Sequence, residues 1–408
     1  MRAIAFRFSL PRYAFTLALG PLVPPIYYGP LSCVHMLELP QPRLPGDRWI
    51  RVKTRCAGIC GSDVNLVRLR DSPSSSPYSS LPFVFGHENL GTVAETGAAV
   101  DGLRAGQRVI VDPLLPCPTR DIDPWCPACR EGEWPRCEHF RDGTPGVGFQ
   151  LGNNWRVGGS WADQFLAHAF QVFPVPDSVS DENAILVDAF ASALHPVMRI
   201  RPPIAGTALV VGVGMMGLGV IAALRATGFS GTILAVAKYP FQAELARHLG
   251  ADEVIDSHSD VFAAVATRTG GTLHKPVIGK RIMLGGGADV VFECVGSDGT
   301  VDDALRLARP GGRVALIGLS GVTKHADWTF AWLKELTVHG TLCSSTEEYA
   351  GERRRCYSII LDWMESGRLD LSPLLTHRFR LEDYRQALAS SFRKSEHRMI
   401  KAVFDFES

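Results

Sequence analysis

The residue types best suited to binding a metal form two groups in the first half of the chain. The first group is a run of four cysteines in the spacing C-x8-C-x2-C-x7-C, made up of Cys117, Cys126, Cys129 and Cys137. Four thiolates at such spacings are the ligand set of a closed tetrahedral zinc site. Since the segment is rich in proline and poor in apolar residues, zinc binding would replace the core that it lacks. Four incidental thiols, or a zinc ribbon that binds nucleic acid, are alternatives with less support, because no basic, aromatic-rich stretch accompanies the cysteines.

The second group of potential metal ligands consists of residues that lie far apart in the sequence. Cys60 opens the stretch Cys-Gly-Ser-Asp, and His87 and Glu88 follow a glycine in the stretch Gly-His-Glu. A single histidine is more often packed than bound to a metal. Asp188 lies inside an apolar helical run, where a carboxylate costs free energy unless a cation or hydrogen bonds compensate it. A buried capping or ion-pair role for Asp188 is the alternative interpretation.

A glycine motif in the second half predicts a dinucleotide site. The apolar run from Leu209 to Val211 leads into Gly-x-Gly-x-x-Gly, and a helical pattern follows from Leu218 to Thr227. The first glycine of this motif permits a tight bend, the second lets the backbone approach a pyrophosphate, and the third lets the helix pack against the strand. The helix N-terminus then offers free N–H groups to the phosphates. The predicted contacts are Gly212, Gly214, Met215, Met216 and Gly217.

The first half is predicted to be mainly antiparallel β. Apolar and charged residues alternate from Trp49 to Arg55, which is typical of a half-buried strand. The eight prolines of residues 1–48 predict mostly loop with short strands. Ser180 is expected to cap a helix that continues through Phe190. The final strand, Met399–Phe406, is expected to return to the first domain.

From Thr207 onward, strands and helices alternate, which predicts a doubly wound parallel sheet with the nucleotide at the carboxyl ends of its strands. Residues 270–287 are longer than such a connection needs and are interpreted as an inserted loop. The six predicted strands are Thr207–Gly212, Thr232–Ala237, Glu253–Asp256, Asp289–Cys294, Arg313–Gly318 and Leu336–Cys343.

Length and composition limit the classes of protein that fit. A chain of 408 residues suggests about two domains. Lys plus Arg and Asp plus Glu are equal at 42, so the net charge predicts neither a nucleic-acid nor a membrane partner. The N-terminus superficially resembles a signal peptide, but Pro11 and Pro21 interrupt it and no cleavage site is clear. We therefore expect mature structure and a cytoplasmic location, with the ten cysteines serving metal ligation rather than disulfides.

Taken together and in this order, the motifs resemble the zinc-dependent medium-chain dehydrogenase/reductase superfamily, of the alcohol, sorbitol and threonine dehydrogenase type. The resemblance extends over nearly the whole chain. It implies an α/β protein with a mainly β GroES-like catalytic domain and a Rossmann coenzyme-binding domain. The implied bounds are 1–197 for the catalytic domain with a structural-zinc lobe at 113–140, 198–343 for the coenzyme domain, and 344–408 for the return to the catalytic domain.

The resemblance also assigns roles near the catalytic metal. Cys60 and His87 occupy the positions of two zinc ligands, and Asp188 stands where the third ligand is found. Glu88 can approach the metal in some members and is an alternate ligand. Such a zinc keeps one position open for substrate and acts as a Lewis acid. Ser62 has the position whose hydroxyl passes on the substrate proton. Asn65 replaces a histidine found in many members, so a proton must leave by water or the cofactor ribose.

The predicted cofactor is NADP(H). Members that bind NAD place Asp or Glu at the end of the second strand, whereas this chain has Ala237 followed by Lys238 and Tyr239. Loss of an anion and gain of a cation favour a 2′-phosphate, with Lys238 as the main contact and Tyr239 near the adenine. An exposed Lys238 with relaxed cofactor choice is the alternative. The residues expected along the nicotinamide half are Val295, Gly296, Ile317, Gly318 and Leu319.

The expected function is hydride transfer between NADP(H) and an alcohol or carbonyl substrate, with one catalytic and one structural zinc. A reductase of C=N or activated C=C bonds is the alternative within the enzymes, and a non-catalytic nucleotide-binding protein is the alternative outside them. Relatives form dimers or tetramers, so a homo-oligomer is expected, with Leu336–Cys343 as an intersubunit strand. The long first cysteine spacing adds a loop at Pro118–Trp125, at either the substrate cleft or a subunit contact.

Overall fold

The computed structural model describes residues 1–407, which form two compact units. One unit comprises Met1–Asp188 together with the chain from Tyr357 onward, and the other comprises Ala189–Cys356. Among the described residues, every helix is too short or too polar to span a bilayer.

The first part of the chain is mainly β. Its strands are β1 (Arg2–Phe6), β2 (Val34–Glu38), β3 (Trp49–Ile59), β4 (Phe83–Val84), β5 (Asn89–Thr96), β6 (Arg108–Val111), β7 (Gln164–His168) and β8 (Val172–Pro174). Its helices are α1 (Leu10–Leu19), α2 (Gly61–Val67), α3 (Pro127–Arg130) and α4 (Asp181–Ala184). The Ser180 side chain accepts a hydrogen bond from the N–H of Asn183, so the predicted cap of α4 is present. The helix does not continue through Phe190 as predicted, because α4 ends at Ala184 and a second helix begins at Val187.

The middle part alternates strands and helices. Its helices are α5 (Val187–Ile200), α6 (Met215–Ala226), α7 (Pro240–His248), α8 (Val261–Thr269), α9 (Asp298–Leu307) and α10 (Thr329–Leu333). Its strands are β9 (Thr207–Val211), β10 (Thr232–Ala237), β11 (Glu253–Asp256), β12 (Thr272–His274), β13 (Ile282–Leu284), β14 (Ala288–Glu293), β15 (Ala308–Leu316), β16 (Thr337–Gly340), β17 (Thr346–Tyr349) and β18 (Glu352–Arg355).

The last part contains α11 (Cys356–Glu365), β19 (Leu375–Phe379), α12 (Tyr384–Phe392) and β20 (Lys401–Asp405). β20 pairs antiparallel with β3, in the register Phe404 with Ala57. The final strand therefore does return to the first unit, as the sequence predicts. The sheet that results has the order β19-β20-β3-β5-β6-β8, with β7 also paired to β3.

The second unit is built on a parallel sheet. Its order is β11-β10-β9-β14-β15-β16, and each neighbouring pair is parallel. The order reverses between β9 and β14, and such a switch point is where dinucleotides bind in doubly wound sheets. The four hydrophobic residues Ala208, Leu209, Val210 and Val211 of β9 are buried, as expected of a central parallel strand. The predicted Rossmann architecture is confirmed.

Two local predictions are wrong. Residues 1–48 contain the helix α1, because Pro11 lies in its first turn, where a missing N–H breaks no helical hydrogen bond. Residues 270–287 are not an irregular loop but contain the antiparallel hairpin β12–β13. Lys280 contacts Asp302 and Asp303 on α9 at 2.9 Å, and these ion pairs fix the hairpin to its own unit.

The buried His168 should make the first unit sensitive to acid. Burial lowers the pKa of its imidazole from 6.5 to about 4, and its Nδ1 accepts a hydrogen bond from the N–H of Phe170. The neutral ring therefore stabilises the fold fully above pH 6.5, and this contribution, up to about 3 kcal/mol, is lost as the pH falls toward 4. When the pH is lowered from 8 to 5, we expect the Tm of His168→Gln to fall by less than the Tm of the parent. His258→Gln, at an exposed histidine, should follow the parent; equal acid sensitivity in all three proteins would contradict the assignment.

Candidate functional site

Three potential metal ligands meet in the first unit. Cys60 follows the long strand β3, and His87 and Glu88 occupy the turn between β4 and β5. One ligand atom from each of these residues lies within 4.8 Å of the others. The N–H of Cys60 donates to the Asp63 carboxylate at 3.0 Å, so the first turn of α2 fixes the direction in which the thiol points.

The His87 ring is oriented by its neighbours. Its Nδ1 lies 3.6 Å from Oδ1 of Asp63, and its Nε2 lies 3.5 Å from Oγ of Ser62. Burial alone would lower the pKa of His87, but the Asp63 carboxylate and the Cys60 sulfur raise it well above its ordinary value. The surroundings thus favour positive charge at this place. With Nδ1 facing a carboxylate, Nε2 is the nitrogen left for a metal, an arrangement common among metal-binding histidines.

Glu88 is held by a lysine that the sequence analysis did not single out. Its buried carboxylate forms an ion pair with Nζ of Lys401, the first residue of β20. Burial opposes the charge on Lys401, but Glu88 and then Cys60 raise its pKa. A Cβ at Gly58 in β3 would lie 1.8 Å from Oε2 of Glu88, so a glycine is needed at this position to leave room for the carboxylate.

Asp188 lies in the first turn of α5 and is 9% exposed. It accepts a hydrogen bond from the Tyr357 hydroxyl. Burial raises its pKa to about 7; the positive charge of His87 opposes this shift and the negative charge of Glu88 adds to it. Among the described residues, no lysine or arginine lies within ion-pair distance of Asp188. It is therefore a buried carboxylate that is electrostatically linked to the cluster and lacks a cation.

The donor set suits zinc. A thiolate, an imidazole and a carboxylate are its usual protein ligands, and three of them leave the fourth position free. Glu88 and Asp188 place two buried carboxylates near one thiol, and Lys401 compensates only one of them directly. A divalent cation would balance the remaining negative charge. The arrangement can therefore hold a metal ion with an open position.

The four cysteines of the second group come together in one buried cluster. Their sulfurs lie within 4.8 Å of one another, and the Cys117 and Cys137 sulfurs are 3.7 Å apart. Zn–S bonds of 2.3 Å in a tetrahedron place sulfurs about 3.8 Å apart, so the observed spacing fits zinc. A hydrogen bond from Cys129 lowers the pKa of Cys137 to about 5, which makes one thiolate available before any metal binds.

Arg120, inside the long first spacing of the cysteine group, is fully buried. Its guanidinium donates only to carbonyl oxygens, and these belong to Leu115, Asp142, Gly146 and Gly148. Burial lowers its pKa to about 10, while the neighbouring cysteine sulfurs and Asp142 oppose that shift. The extra residues of the spacing thus direct a cation into the lobe.

The glycine turn in the second unit has the geometry that its sequence predicts. Gly212 has a φ of +86°, which favours glycine. A Cβ at Gly217 would lie 2.0 Å from the Gly212 carbonyl oxygen, whereas a Cβ at Gly214 would meet open space. Helix α6 begins directly after Gly214, with Met215 and Met216 in its first turn. The N–H groups of that turn are free to bind a phosphate.

A second set of predicted contacts is organised by Glu293, at the end of β14. One oxygen of its carboxylate accepts hydrogen bonds from the N–H groups of Val295 (2.9 Å) and Gly296 (2.8 Å). Its main-chain oxygen accepts from Ile317 and Gly318, both at 2.9 Å. Glu293 thereby joins the loops after β14 and β15. Val295 and the adjacent Leu319 are left about half exposed, at 51% and 57%.

The end of β10 presents a cation rather than an anion. Ala237 is buried, Lys238 is exposed, and Nζ of Lys238 lies 5.6 Å from the centre of the Tyr239 ring. That ring stacks on the ring of Phe241, with centroids 5.7 Å apart and an interplanar angle of 7°. The stacking limits the freedom of Tyr239 and keeps its ring near the ammonium group.

Comparison with known proteins decides the family. The model of the alcohol dehydrogenase GroES-like domain matches residues 46–177, and that of the zinc-binding dehydrogenase domain matches residues 212–356. The chain belongs to the zinc-dependent medium-chain dehydrogenase superfamily.

Individual relatives agree with this result. An L-idonate 5-dehydrogenase from Vitis vinifera is 28% identical over 359 residues, which cover 87% of each chain. A sorbitol dehydrogenase from Bacillus subtilis is 28% identical, with coverage of 86% of this chain and 88% of that one. The alcohol dehydrogenase structure from Thermus sp. ATN1 has 25% identity, a TM-score of 0.71 and coverage of 99% of both chains. This medium-chain dehydrogenase is thus an oxidoreductase of the zinc-type alcohol and polyol dehydrogenases.

Several residues of this dehydrogenase that shape the sites were missed from sequence. A charged residue within an apolar strand pattern is a signal that could have identified Lys401 in β20 and Glu293 in β14. Tyr357 and Arg120 gave no comparable signal, because their partners lie far away along the chain or belong to the backbone. The structure brings Cys60, His87 and Glu88 together, and places Asp188 beside them electrostatically rather than inside the same 4.8 Å group.

Proposed function

We propose that this medium-chain dehydrogenase uses one zinc ion, held by Cys60, His87 and Asp188, to interconvert an alcohol and a carbonyl compound with NADP(H). The observation that carries the proposal is the cluster of a thiol, an imidazole and a carboxylate within 4.8 Å of one another, with the buried carboxylate of Asp188 coupled to it electrostatically. A packed structural cluster would have its charges balanced by its own side chains.

Asp188 is preferred over Glu88 as the third ligand on grounds of charge. Glu88 already has a cation in Lys401, whereas Asp188 has only the Tyr357 hydroxyl. A metal ion would relieve the cost of burying Asp188, whose carboxylate is electrostatically coupled to His87. Glu88, which forms an ion pair with Lys401, then remains the alternate ligand.

When bound, the zinc supplies Lewis acidity toward the substrate oxygen and the nicotinamide supplies or accepts the hydride. The chain's own residues handle position and protons. Asp63 fixes the His87 ring through Nδ1. Ser62, whose Oγ lies 3.5 Å from Nε2 of His87, is at the right place to hold the substrate's hydroxyl proton. Asn65 cannot titrate, so it could not take up a proton from Ser62, and water or the ribose of a bound cofactor would have to do so.

The activity is tested by a screen of secondary alcohols and polyols, and of ketones in reverse, with NADP(H) and NAD(H). We expect turnover with at least one alcohol or ketone and its loss in Asp188→Asn. Reduction of activated alkenes or imines, with no turnover of any alcohol or ketone, would instead favour the reductase alternative. Cofactor binding without any hydride transfer would favour a non-catalytic protein.

The preference for NADP(H) rests on the cation at the end of β10. Lys238 is exposed and free to meet a 2′-phosphate, and Ala237 offers no carboxylate to the ribose hydroxyls. The double change Ala237→Asp with Lys238→Leu should reverse the cofactor ratio of kcat/KM, by roughly 10- to 100-fold for the lost charged hydrogen bond. Lys275→Leu, at another exposed lysine, is the matched control and should leave the ratio unchanged. An unaltered ratio in the double variant would refute the role of Lys238.

We also propose that the dehydrogenase is a dimer or tetramer. β16 is an outer strand of its sheet and can pair with a second copy. Trp332 (70%), Leu333 (59%) and Leu342 (41%), which flank this strand in sequence, are exposed and apolar. Light scattering on Val338→Pro, which breaks pairing along β16, should show a smaller assembly than the parent. An unchanged mass would remove β16 from the interface.

A further inference from the structure

The connection between β1 and β2 is much longer than the pairing of these two strands needs. Phe6 is opposite Val34, and the N–H of Arg7 donates to the carbonyl of Cys33 at 2.8 Å. The strands therefore meet at these residues, where a few turn residues would close an ordinary hairpin. Residues 8–32 instead leave the sheet, form α1 and return through a short 3-10 turn. We call residues 8–32 the N-terminal excursion.

The excursion packs on the core of its unit through Tyr13, Tyr27 and Tyr28 and exposes its other apolar side chains. Tyr27 and Tyr28 pack edge-to-face on Phe392 of α12, with ring centroids 5.8 and 5.6 Å apart. In α1 itself, the only buried residue is the polar Thr16, so the helix directs its leucines away from its own unit. The exposed apolar residues are Phe8 (47%), Leu10 (68%), Leu17 (49%), Leu19 (38%), Leu22 (77%), Val23 (50%) and Leu31 (58%). A concentration of exposed apolar side chains in one short segment is typical of an interaction surface.

The charged residues of the excursion and of the chain just before it have one sign. The first 37 residues contain three arginines and no aspartate or glutamate, although the whole chain has no net charge. Burial lowers the pKa of His35, and the positive charges of Arg12, Arg7 and Arg385 lower it further. Among the described residues, no carboxylate lies within ion-pair distance of Arg7 or Arg12. The apolar surface is therefore accompanied by unneutralised cations.

We propose that the N-terminal excursion binds the surface of an anionic lipid bilayer, with α1 lying in the interface. Leucines on a protruding helix, flanked by arginines, suit insertion among lipid chains with the cations at the phosphates. A second copy of the chain is a poorer occupant. A two-fold contact between excursions would bring Arg7 and Arg12 of both copies into one interface, with no carboxylate in residues 8–32 to offset the repulsion. The proposal does not depend on the proposed reaction.

The test is co-sedimentation of the full-length protein with phosphatidylcholine vesicles that contain or lack phosphatidylglycerol. We expect binding to the anionic vesicles at low salt and a weakening at high salt. Leu17→Ser with Leu22→Ser, and separately Arg7→Gln with Arg12→Gln, should each reduce the partition coefficient on the order of tenfold. These side chains are exposed, so Tm should stay near that of the parent, which separates lost binding from lost folding.

The hairpin β12–β13 supplies a matched control. Val277 (101% exposed) and Ile278 (90% exposed) at its tip are also apolar, and Val277→Ser with Ile278→Ser should leave vesicle binding unchanged. Absence of binding to anionic vesicles at low salt would overturn the proposal. A second result would also overturn it: the parent does not bind vesicles, and the leucine variant has a lower oligomer mass than the parent by light scattering. The excursion would then be an interface between copies.

Discussion

Purified protein should contain about two zinc ions per chain, and Asp188→Asn should lose one of them while the chain stays folded. The reason is that Asp188 is buried without a cation, so its charge becomes favourable only beside a metal. Asparagine keeps the volume and can still accept the Tyr357 hydrogen bond, which limits the structural damage. Zinc measured by atomic absorption, alongside Tm, gives the result directly, and alcohol turnover should fall by on the order of a thousandfold or more.

The controls separate the two metal sites and the two carboxylates. Cys129→Ser should lose the other zinc and lower Tm, because the cysteine lobe has little core besides the metal. Tyr357→Phe removes the hydroxyl from Asp188 and should keep both zinc ions. If Asp188→Asn retained two zinc ions while Glu88→Gln lost one, the third ligand would be Glu88. One zinc in the parent, lost only from Cys129→Ser, would refute a metal at Cys60 and His87.

The fold was largely predictable because its signals are local. The buried strand β9, the glycines at 212, 214 and 217 and the start of α6 are adjacent in sequence, so their order alone specifies the turn. The strands Thr232–Ala237 and Glu253–Asp256 were predicted to the residue, since each is a short apolar run between turn signals. Helix α1 was missed because proline was taken as a helix breaker at a position where it is tolerated.

The candidate site was only partly predictable, because part of it is built by long-range contacts. Lys401 is 313 residues from Glu88 along the chain, and nothing local in either motif identifies the pair. The same holds for Tyr357, which meets Asp188 through a hydrogen bond between residues 169 positions apart. The net charge of the whole chain is a coarser signal, since its balance conceals the one-sided charge of the first 37 residues.

The largest expected loss of stability comes from Arg120→Met. Methionine fills much of the same volume but leaves the carbonyl oxygens of Leu115, Asp142, Gly146 and Gly148 without their buried donor. At about 1 kcal/mol or more for each unsatisfied acceptor, the cost is on the order of 4 kcal/mol. For a unit of this size, that corresponds to a fall in Tm of about 10 °C. The cation that faces the cysteine sulfurs is lost as well, so the zinc of the lobe should be released faster to a chelator.

Arg120→Lys distinguishes the two effects of this residue. Lysine keeps a positive charge but has three donors in place of the guanidinium fork, so it should restore slow zinc release more fully than it restores Tm. Arg130→Met, at an exposed arginine that contacts only the Trp125 carbonyl in the same lobe, is the matched control and should behave as the parent. If Arg120→Met kept the parent's Tm and zinc release, the long cysteine spacing would have no part in holding the lobe together. If the methionine and lysine variants had equally lowered Tm and released zinc equally fast, the hydrogen bonds alone would account for the effect of Arg120, and its charge would be irrelevant to the metal.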